Sequence, residues 1–252
     1  MNTNELKKLW QSEEQMTFKG WDFSYISERT TAQDPPWDYK KIVTTYMNPS
    51  TTMLDMGTGG GEFLLSLAPP AGSTYATETY LPNVELCQNT LPPYGIEVRQ
   101  VFHDEELPFE DSFFDLVINR HESFSSKEVF RILKPGALFV TQQVGGRNNR
   151  ELAKFLLGND TNNVHAEFNL EETKNDLVTA GFSILDAREC FLSRRFHDIG
   201  ALVYYAKIIE WEFPDFSVER CFNQLCLLQD KIERDGFVQT NEHRFLIKAV
   251  KS

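Results

Sequence analysis

Short apolar runs alternate with amphipathic stretches between residues 40 and 190, and this alternation predicts strands separated by helices. The expected strands cover residues 51–56, 73–78, 96–102, 113–119, 137–144 and 182–190. The expected helices cover residues 62–68, 82–91, 127–133 and 170–180, and Lys134-Pro135-Gly136 is expected to form a turn. Strands joined by helices favour a parallel sheet that is covered on both faces.

The two ends of the chain lack this repeat. Residues 1–39 are polar and aromatic, and we expect them to form an N-terminal helical arm or lid. About fifty residues separate the sixth strand from a last strand at 243–250, which is too much chain for a hairpin loop. We therefore expect residues 191–241, with helices at 198–210 and 218–235, to form a cap on a core of residues 40–190 and 242–252. All three parts are expected to build one overall domain.

Composition narrows the class of protein. The chain has 252 residues, of which 41% are hydrophobic and 25% charged, as in a folded globular protein. The 25 basic and 37 acidic residues give a net charge of −12, which disfavours nucleic acid and anionic membranes as partners. No signal peptide or membrane span is visible. The four cysteines lack metal-ligand spacing, so we expect reduced thiols, no metal and a cytoplasmic location.

The densest chemical signal is the segment LDMGTGGGE at residues 54–62, between the first expected strand and helix. Gly57, Gly59 and Gly61 allow a sharp turn and a close approach of a ligand to the backbone. A dinucleotide-binding loop would have a third glycine at position 62, where Glu62 instead would repel a pyrophosphate. The segment therefore favours a nucleoside ligand without phosphates, with a tight turn that binds nothing as the alternative.

The pattern Asp55-x-Gly57-x-Gly59-x-Gly61 resembles the first motif of class I S-adenosylmethionine-dependent methyltransferases, of the type 11 kind. Two further stretches, 107–117 and 131–137, are similar to the same family in the same order. The resemblance covers residues 40–190 and the last strand. It implies an α/β, Rossmann-like, doubly wound sheet of seven mainly parallel strands, in which the last strand is antiparallel.

The resemblance also implies S-adenosylmethionine as cofactor and S-adenosylhomocysteine as product. Asp55 is then expected near the methionyl ammonium, with Thr58 and the loop amides at the rest of the amino-acid part. Glu78 ends the second strand, where a carboxylate can accept hydrogen bonds from both ribose hydroxyls, and Thr79 is expected at the adenine edge. This interpretation requires Glu78 to lie beside the glycine loop, in a space that side chains do not fill.

One position departs from the family pattern. Family members usually carry an acid four residues before the leucine of Leu-Pro-Phe, and this chain has His103 there with Asp104 next to it. Either residue is a candidate for the adenine contact, and a purely structural role is the alternative. Asn119 is expected to border the methionyl and sulfonium end.

The acceptor side is less defined. His121 follows the fourth strand and is a candidate general base, or else a packed histidine, and Glu122 is a candidate cap of the following helix. Aromatic residues of the arm and cap either wall an acceptor pocket or only pack: Trp21, Phe23, Tyr25, Trp37, Tyr39, Tyr204, Tyr205, Trp211 and Phe213.

Three functions compete. The sequence favours an enzyme that methylates a small-molecule acceptor by in-line transfer. The alternatives are an RNA methyltransferase and a non-catalytic module of methyltransferase-like fold. The acceptor and the oligomeric state stay open.

Overall fold

The computed structural model describes residues 2–18, 22–158 and 167–252, in which the chain forms eight strands and nine α-helices. The strands are Thr30–Ala32 (β1), Met53–Met56 (β2), Thr74–Glu78 (β3), Ile96–Gln100 (β4), Phe114–Arg120 (β5), Leu133–Val144 (β6), Phe182–Phe196 (β7) and Val238–Lys251 (β8). The helices are Thr3–Glu14 (α1), Tyr39–Thr44 (α2), Glu62–Ser66 (α3), Leu81–Thr90 (α4), Ser126–Ile132 (α5), Arg150–Leu157 (α6), Leu170–Ala180 (α7), Ile199–Ile208 (α8) and Val218–Asp235 (α9). Short 3-10 helices cover Ser24–Arg29 and Pro92–Tyr94. Trp21 lies outside the described residues.

The strands form one mixed sheet in the order β1-β7-β8-β6-β5-β2-β3-β4. Parallel pairing joins β4, β3, β2, β5 and β6, and antiparallel strands lie towards the carboxyl end of the chain. The Rossmann-like α/β fold is therefore confirmed. The strand beyond the expected seven is the three-residue β1, which pairs antiparallel with the end of β7.

The chain divides into two compact units. The core unit contains Pro36–Val144, Phe168–Glu189 and Phe245–Ser252, and the helical unit contains Met1–Pro35, Gly145–Glu167 and Cys190–Arg244. Residues 1–35 of the expected arm and all of the expected cap lie in one unit, together with residues that follow β6, whereas residues 36–39 of the expected arm belong to the core unit.

In the core unit, the central strands are apolar because side chains cover both of their faces. All four residues of β2 are buried, and Leu54 shares a hydrophobic cluster with Val117 of β5, Phe139 of β6 and Phe245 of β8. Each such side chain contributes about 1.5–3 kcal/mol when fully buried. This packing fixes the strand ends that carry the candidate site.

The helical unit has its own hydrophobic cluster. Trp10 of α1 is buried with Leu202 of α8 and Leu225 of α9. The guanidinium of Arg29 donates to Asp198 Oδ2 (2.9 Å), which caps α8, and to Glu13 Oε1 of α1 (2.9 Å).

The expected turn at Lys134-Pro135-Gly136 is wrong, because these residues lie within β6. Gly136 has φ +76°, and the pairing register between β5 and β6 shifts near this point. The Pro-Gly pattern that usually marks a turn therefore coincides here with an irregularity inside a paired strand.

Candidate functional site

The glycine loop connects the carboxyl end of β2 to the start of α3. Gly57, Gly59 and Gly61 have φ of +68°, +62° and +86°, in the left-handed region that residues with a Cβ avoid. The backbone N–H of Thr58, itself a buried residue, donates to the carbonyl of Thr77 on β3 (3.0 Å). The loop is therefore fixed to the neighbouring parallel strand.

Glu78 lies directly beside this loop because β2 and β3 are parallel neighbours whose carboxyl ends meet at one edge. Its Oε2 accepts from the N–H of Gly59 (2.8 Å), and its Oε1 accepts from the N–H groups of Thr79 (2.8 Å) and Tyr80 (2.9 Å). The side chain is 5% exposed. Three backbone donors thus hold the carboxylate at the position where the sequence predicts a ribose contact.

A pocket opens at the carboxyl ends of β2 and β3. Its lining comprises Met56, Gly57, Thr77, Glu78, Thr79, Val101, Asp104, Leu107, Glu122 and Ser123. These residues include three carboxylates and no basic side chain. The lining therefore suits a ligand that carries positive charge and donates hydrogen bonds, and it would repel a phosphate.

His103 and Asp104, the two candidates for the adenine contact, differ in their position relative to the pocket. Asp104 is half-buried and lines the pocket, whereas His103 is exposed and is not among the lining residues. Thr79 is exposed and lines the pocket. The placement favours Asp104 for the adenine contact, which stays a prediction.

Asp55 is buried below the loop, two residues before Gly57. Burial raises its pKa to about 7, and the charge of Glu78 adds to the rise, while the Thr58 hydroxyl and Arg120 lower it. Arg120 ends β5 and stacks on the ring of Phe63 at 3.9 Å. A carboxyl group beside a cation suits the zwitterionic head group of an amino acid, whose ammonium would lower the pKa of Asp55 again.

The side chain of Glu122 stands over Gly57. A Cβ on Gly57 would overlap with Glu122 Cγ and would lie 2.5 Å from Glu122 Cβ. The requirement that no side chain fill the space at the loop is therefore not met at this glycine. Burial, and then the charges of Glu78 and Asp104, raise the pKa of Glu122 to about 7. Ser125, not Glu122, caps α5.

Asn119 at the end of β5 is fully buried and is not among the lining residues. Its Oδ1 accepts from Gln143 Nε2 (2.5 Å) and from Thr141 Oγ1 (3.1 Å). Gln143 Nε2 also donates to the carbonyl of Glu122 (2.9 Å). Asn119 therefore supports the loop that carries Glu122, and its expected contact with the methionyl end stays a prediction.

His121 is exposed, has φ +66°, and is not among the lining residues. Its Nε2 lies 3.1 Å from Gln142 Nε2, and Gln142 Oε1 accepts from Trp37 Nε1 (2.7 Å). The hydroxyl of Tyr39 donates to the carbonyls of Asn119 (3.0 Å) and Val140 (3.1 Å). Trp37 and Tyr39 are thus buried supports of β5 and β6, and a catalytic role for His121 stays a prediction.

The sequence interpretation assigned no cofactor contact to Arg120 or Glu122, although Arg120 ends a buried strand and Glu122 follows it at the edge where open α/β sheets bind ligands. Within the described residues, no cluster of His, Cys, Asp and Glu has the arrangement of a metal site. No helix of the described residues has the length and apolarity to span a membrane. The four cysteines form no disulfide.

Residues 54–141 match a family model described as a methyltransferase domain. A comparison with curated proteins finds no match. Among solved structures, a protein of unknown function from Deinococcus radiodurans R1 is similar, at 16% identity and TM-score 0.61, over 88% of this chain and 91% of that one. An S-adenosylmethionine-dependent methyltransferase from Aquifex aeolicus is similar at 15% identity and TM-score 0.51, over 100% of both chains.

A third similar structure is the [4+2]-cyclase SpnF, at 15% identity and TM-score 0.53, over 98% of this chain and 92% of that one. At these identities the similar structures establish the fold. The family match over residues 54–141 and the motifs within it support a methyltransferase of the class I, S-adenosylmethionine-dependent kind. S-adenosylmethionine is the cofactor that this class implies.

Proposed function

We propose that this enzyme transfers the methyl group of S-adenosylmethionine to a small-molecule acceptor. The observation that carries the proposal is the joint placement of the glycine loop and Glu78 at one pocket whose lining holds three carboxylates and no base. S-adenosylmethionine carries a ribose diol, an ammonium and a sulfonium, and no phosphate. The donor and acceptor chemistry of the site therefore fits this cofactor.

Each part of the cofactor has a residue suited to it. The carboxylate of Glu78 accepts from the ribose hydroxyls, and Asp104 and Thr79 lie at the adenine end. Asp55, together with Thr58 and the loop amides, holds the methionyl group. Arg120 lies near Asp55 and offers a positive charge for the carboxylate of the methionyl group. The bound cofactor supplies an electrophilic methyl group on sulfur.

Transfer from a sulfonium is an in-line displacement with a good leaving group. Alignment of the acceptor and exclusion of water supply much of the rate enhancement, so the site needs no strong base unless the acceptor is protonated. For such an acceptor, His121 beyond β5 is the candidate that the sequence predicts to take the proton.

The proposal that the acceptor is a small molecule is based on the net charge of the protein. A net charge of −12 opposes an RNA phosphate backbone, since RNA binding depends on Lys and Arg that displace counterions. We therefore expect the methyl label in a low-molecular-weight product.

Calorimetric titration of the wild type, Glu78→Gln and Glu85→Gln with S-adenosylmethionine tests cofactor binding. Glu78→Gln should weaken binding at least about tenfold, because hydrogen bonds to a charged group contribute about 1.5–3 kcal/mol. Glu85 is an exposed acid of α4, and its variant should bind as the wild type does. A wild type that binds neither cofactor nor product refutes the proposal, and intact binding by Glu78→Gln refutes the ribose assignment.

Incubation with methyl-labelled cofactor then tests the acceptor. The enzyme is supplied with size-fractionated cell extract and, separately, with total RNA. Label in the small-molecule fraction alone supports the proposal, and label in RNA contradicts it.

A further inference from the structure

The pocket contains one carboxylate for which the motifs of the sequence assign no role. Glu122 lies in the segment between β5 and α5, and its side chain occupies the space next to Gly57. Its Cβ and Cδ lie 2.5 and 2.9 Å from the position that a Cβ on Gly57 would take, and its Cγ overlaps with that position. A ligand that approaches the backbone of Gly57 therefore meets Glu122 first.

The backbone on both sides of Glu122 is held in place. The N–H of His121 donates to the carbonyl of Gln142 (2.8 Å), and the carbonyl of Glu122 itself accepts from Gln143 Nε2 (2.9 Å). Asn119 Nδ2 donates to the carbonyl of Ser123 (3.5 Å). Because these hydrogen bonds hold the backbone, a ligand over Gly57 has to displace the Glu122 side chain.

The surroundings of Glu122 are negative. Glu78 at the end of β3 and Asp104 after β4 both raise its pKa, in addition to burial, and all three residues line the pocket. Asp55 on β2 is a further buried acid near the loop. The positive charge of Arg120 lowers the pKa of Asp55. A cation in the pocket would relieve the repulsion among these carboxylates.

We propose, on the basis of the cofactor binding proposed above, that Glu122 makes the site prefer S-adenosylmethionine to S-adenosylhomocysteine. The two molecules share the adenosine, ammonium and carboxylate, and they differ in the methyl group and the positive charge on sulfur. A carboxylate at Gly57 stabilises the sulfonium and gains nothing from the thioether. After methyl transfer this attraction ends, and product release becomes easier.

Calorimetric titration with both ligands tests the proposal on the wild type, Glu122→Gln, Glu122→Ala and Glu62→Gln. Glu122→Gln keeps the size of the side chain and removes its charge. It should weaken S-adenosylmethionine about tenfold and change S-adenosylhomocysteine less than about twofold, as expected for the loss of one nearby charge. Glu122→Ala should show the same loss of preference. Glu62 lies next to Gly60 of the same loop outside the pocket lining, and its variant should keep the wild-type ratio.

Three outcomes would overturn the inference. A Glu122→Gln ratio equal to that of the wild type shows that the charge does not act on sulfur. If Glu122→Ala tightens both ligands equally and Glu122→Gln changes neither, Glu122 is only a steric obstacle. A wild type that binds neither ligand refutes the proposed function as well, whereas the first two outcomes leave cofactor binding intact. Thermal denaturation of each variant verifies that it is folded.

Discussion

Gly57 meets two demands that no residue with a side chain meets. Its φ of +68° costs an L-residue about 1–2 kcal/mol, and its missing Cβ leaves room for Glu122. Gly72 has a similar φ of +80°, but a Cβ there would meet nothing within 4 Å. The two glycines therefore separate the cost of the backbone conformation from the cost of crowding.

We predict that Gly57→Ala lowers stability more than Gly72→Ala and weakens S-adenosylmethionine binding at least about tenfold, whereas Gly72→Ala leaves binding unchanged. Urea denaturation and calorimetry measure the two effects. Adding Glu122→Ala to Gly57→Ala should recover part of the lost stability, because it removes Glu122 Cγ and Cδ, two of the three atoms that the new methyl group contacts. Equal stability losses at both glycines would contradict the crowding argument.

The buried acids make stability depend on pH. The pKa of Asp55 is about 7 in the folded chain against 3.8 for an ordinary aspartate, and Glu122 and Glu212 also have pKa values of about 7. At pH values between the ordinary pKa of each carboxyl group and its raised pKa in the folded chain, the folded state binds more protons than the unfolded state. The free energy of unfolding therefore falls as the pH rises from about 4 to about 7, by at most about 1.4 kcal/mol per pH unit for each group.

We predict that Asp55→Asn reduces this slope, because asparagine does not titrate. Urea denaturation of the wild type and the variant at several pH values between about 4.5 and about 7 measures the difference. Glu85→Gln, at an exposed position, should keep the wild-type slope. A variant slope equal to that of the wild type would show that Asp55 is ionised throughout this range.

At the scale of elements, the sequence predicted the helices whose two ends are set by residues close to them in the chain. The helices at 170–180 and 218–235 match α7 and α9, where Asn169 and Ser217 cap the first turn and Gly181 and Gly236 end the last. Strand ends were harder, because tertiary pairing decides them. β7 continues to Phe196, past the expected end at 190, and its last residues pair with β1.

The residues of the candidate site also fall into those that local sequence predicts and those whose positions depend on tertiary packing. The loop glycines and Glu78 were predictable because a motif and a strand end place them without knowledge of packing. The position of Glu122 was not predictable, since it depends on the left-handed backbone at His121 and on the hydrogen bonds of Gln143. The burial of Asn119 was not predictable for a similar reason, because its partners Thr141 and Gln143 lie on a neighbouring strand.

At the scale of the whole molecule, the fold defines the chemistry less narrowly than the site does. The structures that resemble this chain include an S-adenosylmethionine-dependent methyltransferase and a [4+2]-cyclase, so the same architecture carries different reactions. The pocket of this chain has an acidic lining that contains no basic side chain, and the whole molecule has a net charge of −12. The ligand that this charge distribution favours is a cation.

A ligand that binds only the folded chain stabilises it by an amount that follows from its concentration. S-adenosylmethionine at one hundred times its dissociation constant should raise the free energy of unfolding by about 2.7 kcal/mol. We predict that amide hydrogen exchange then slows first in residues 57–61, 78–80, 101–107 and 119–123, because these segments line or support the pocket of the core unit. Mass spectrometry with and without ligand measures the exchange, and Glu78→Gln should show a smaller effect at the same ligand concentration. Protection confined to the helical unit, with none in the glycine loop, would place the cofactor elsewhere and contradict the assignment of the site.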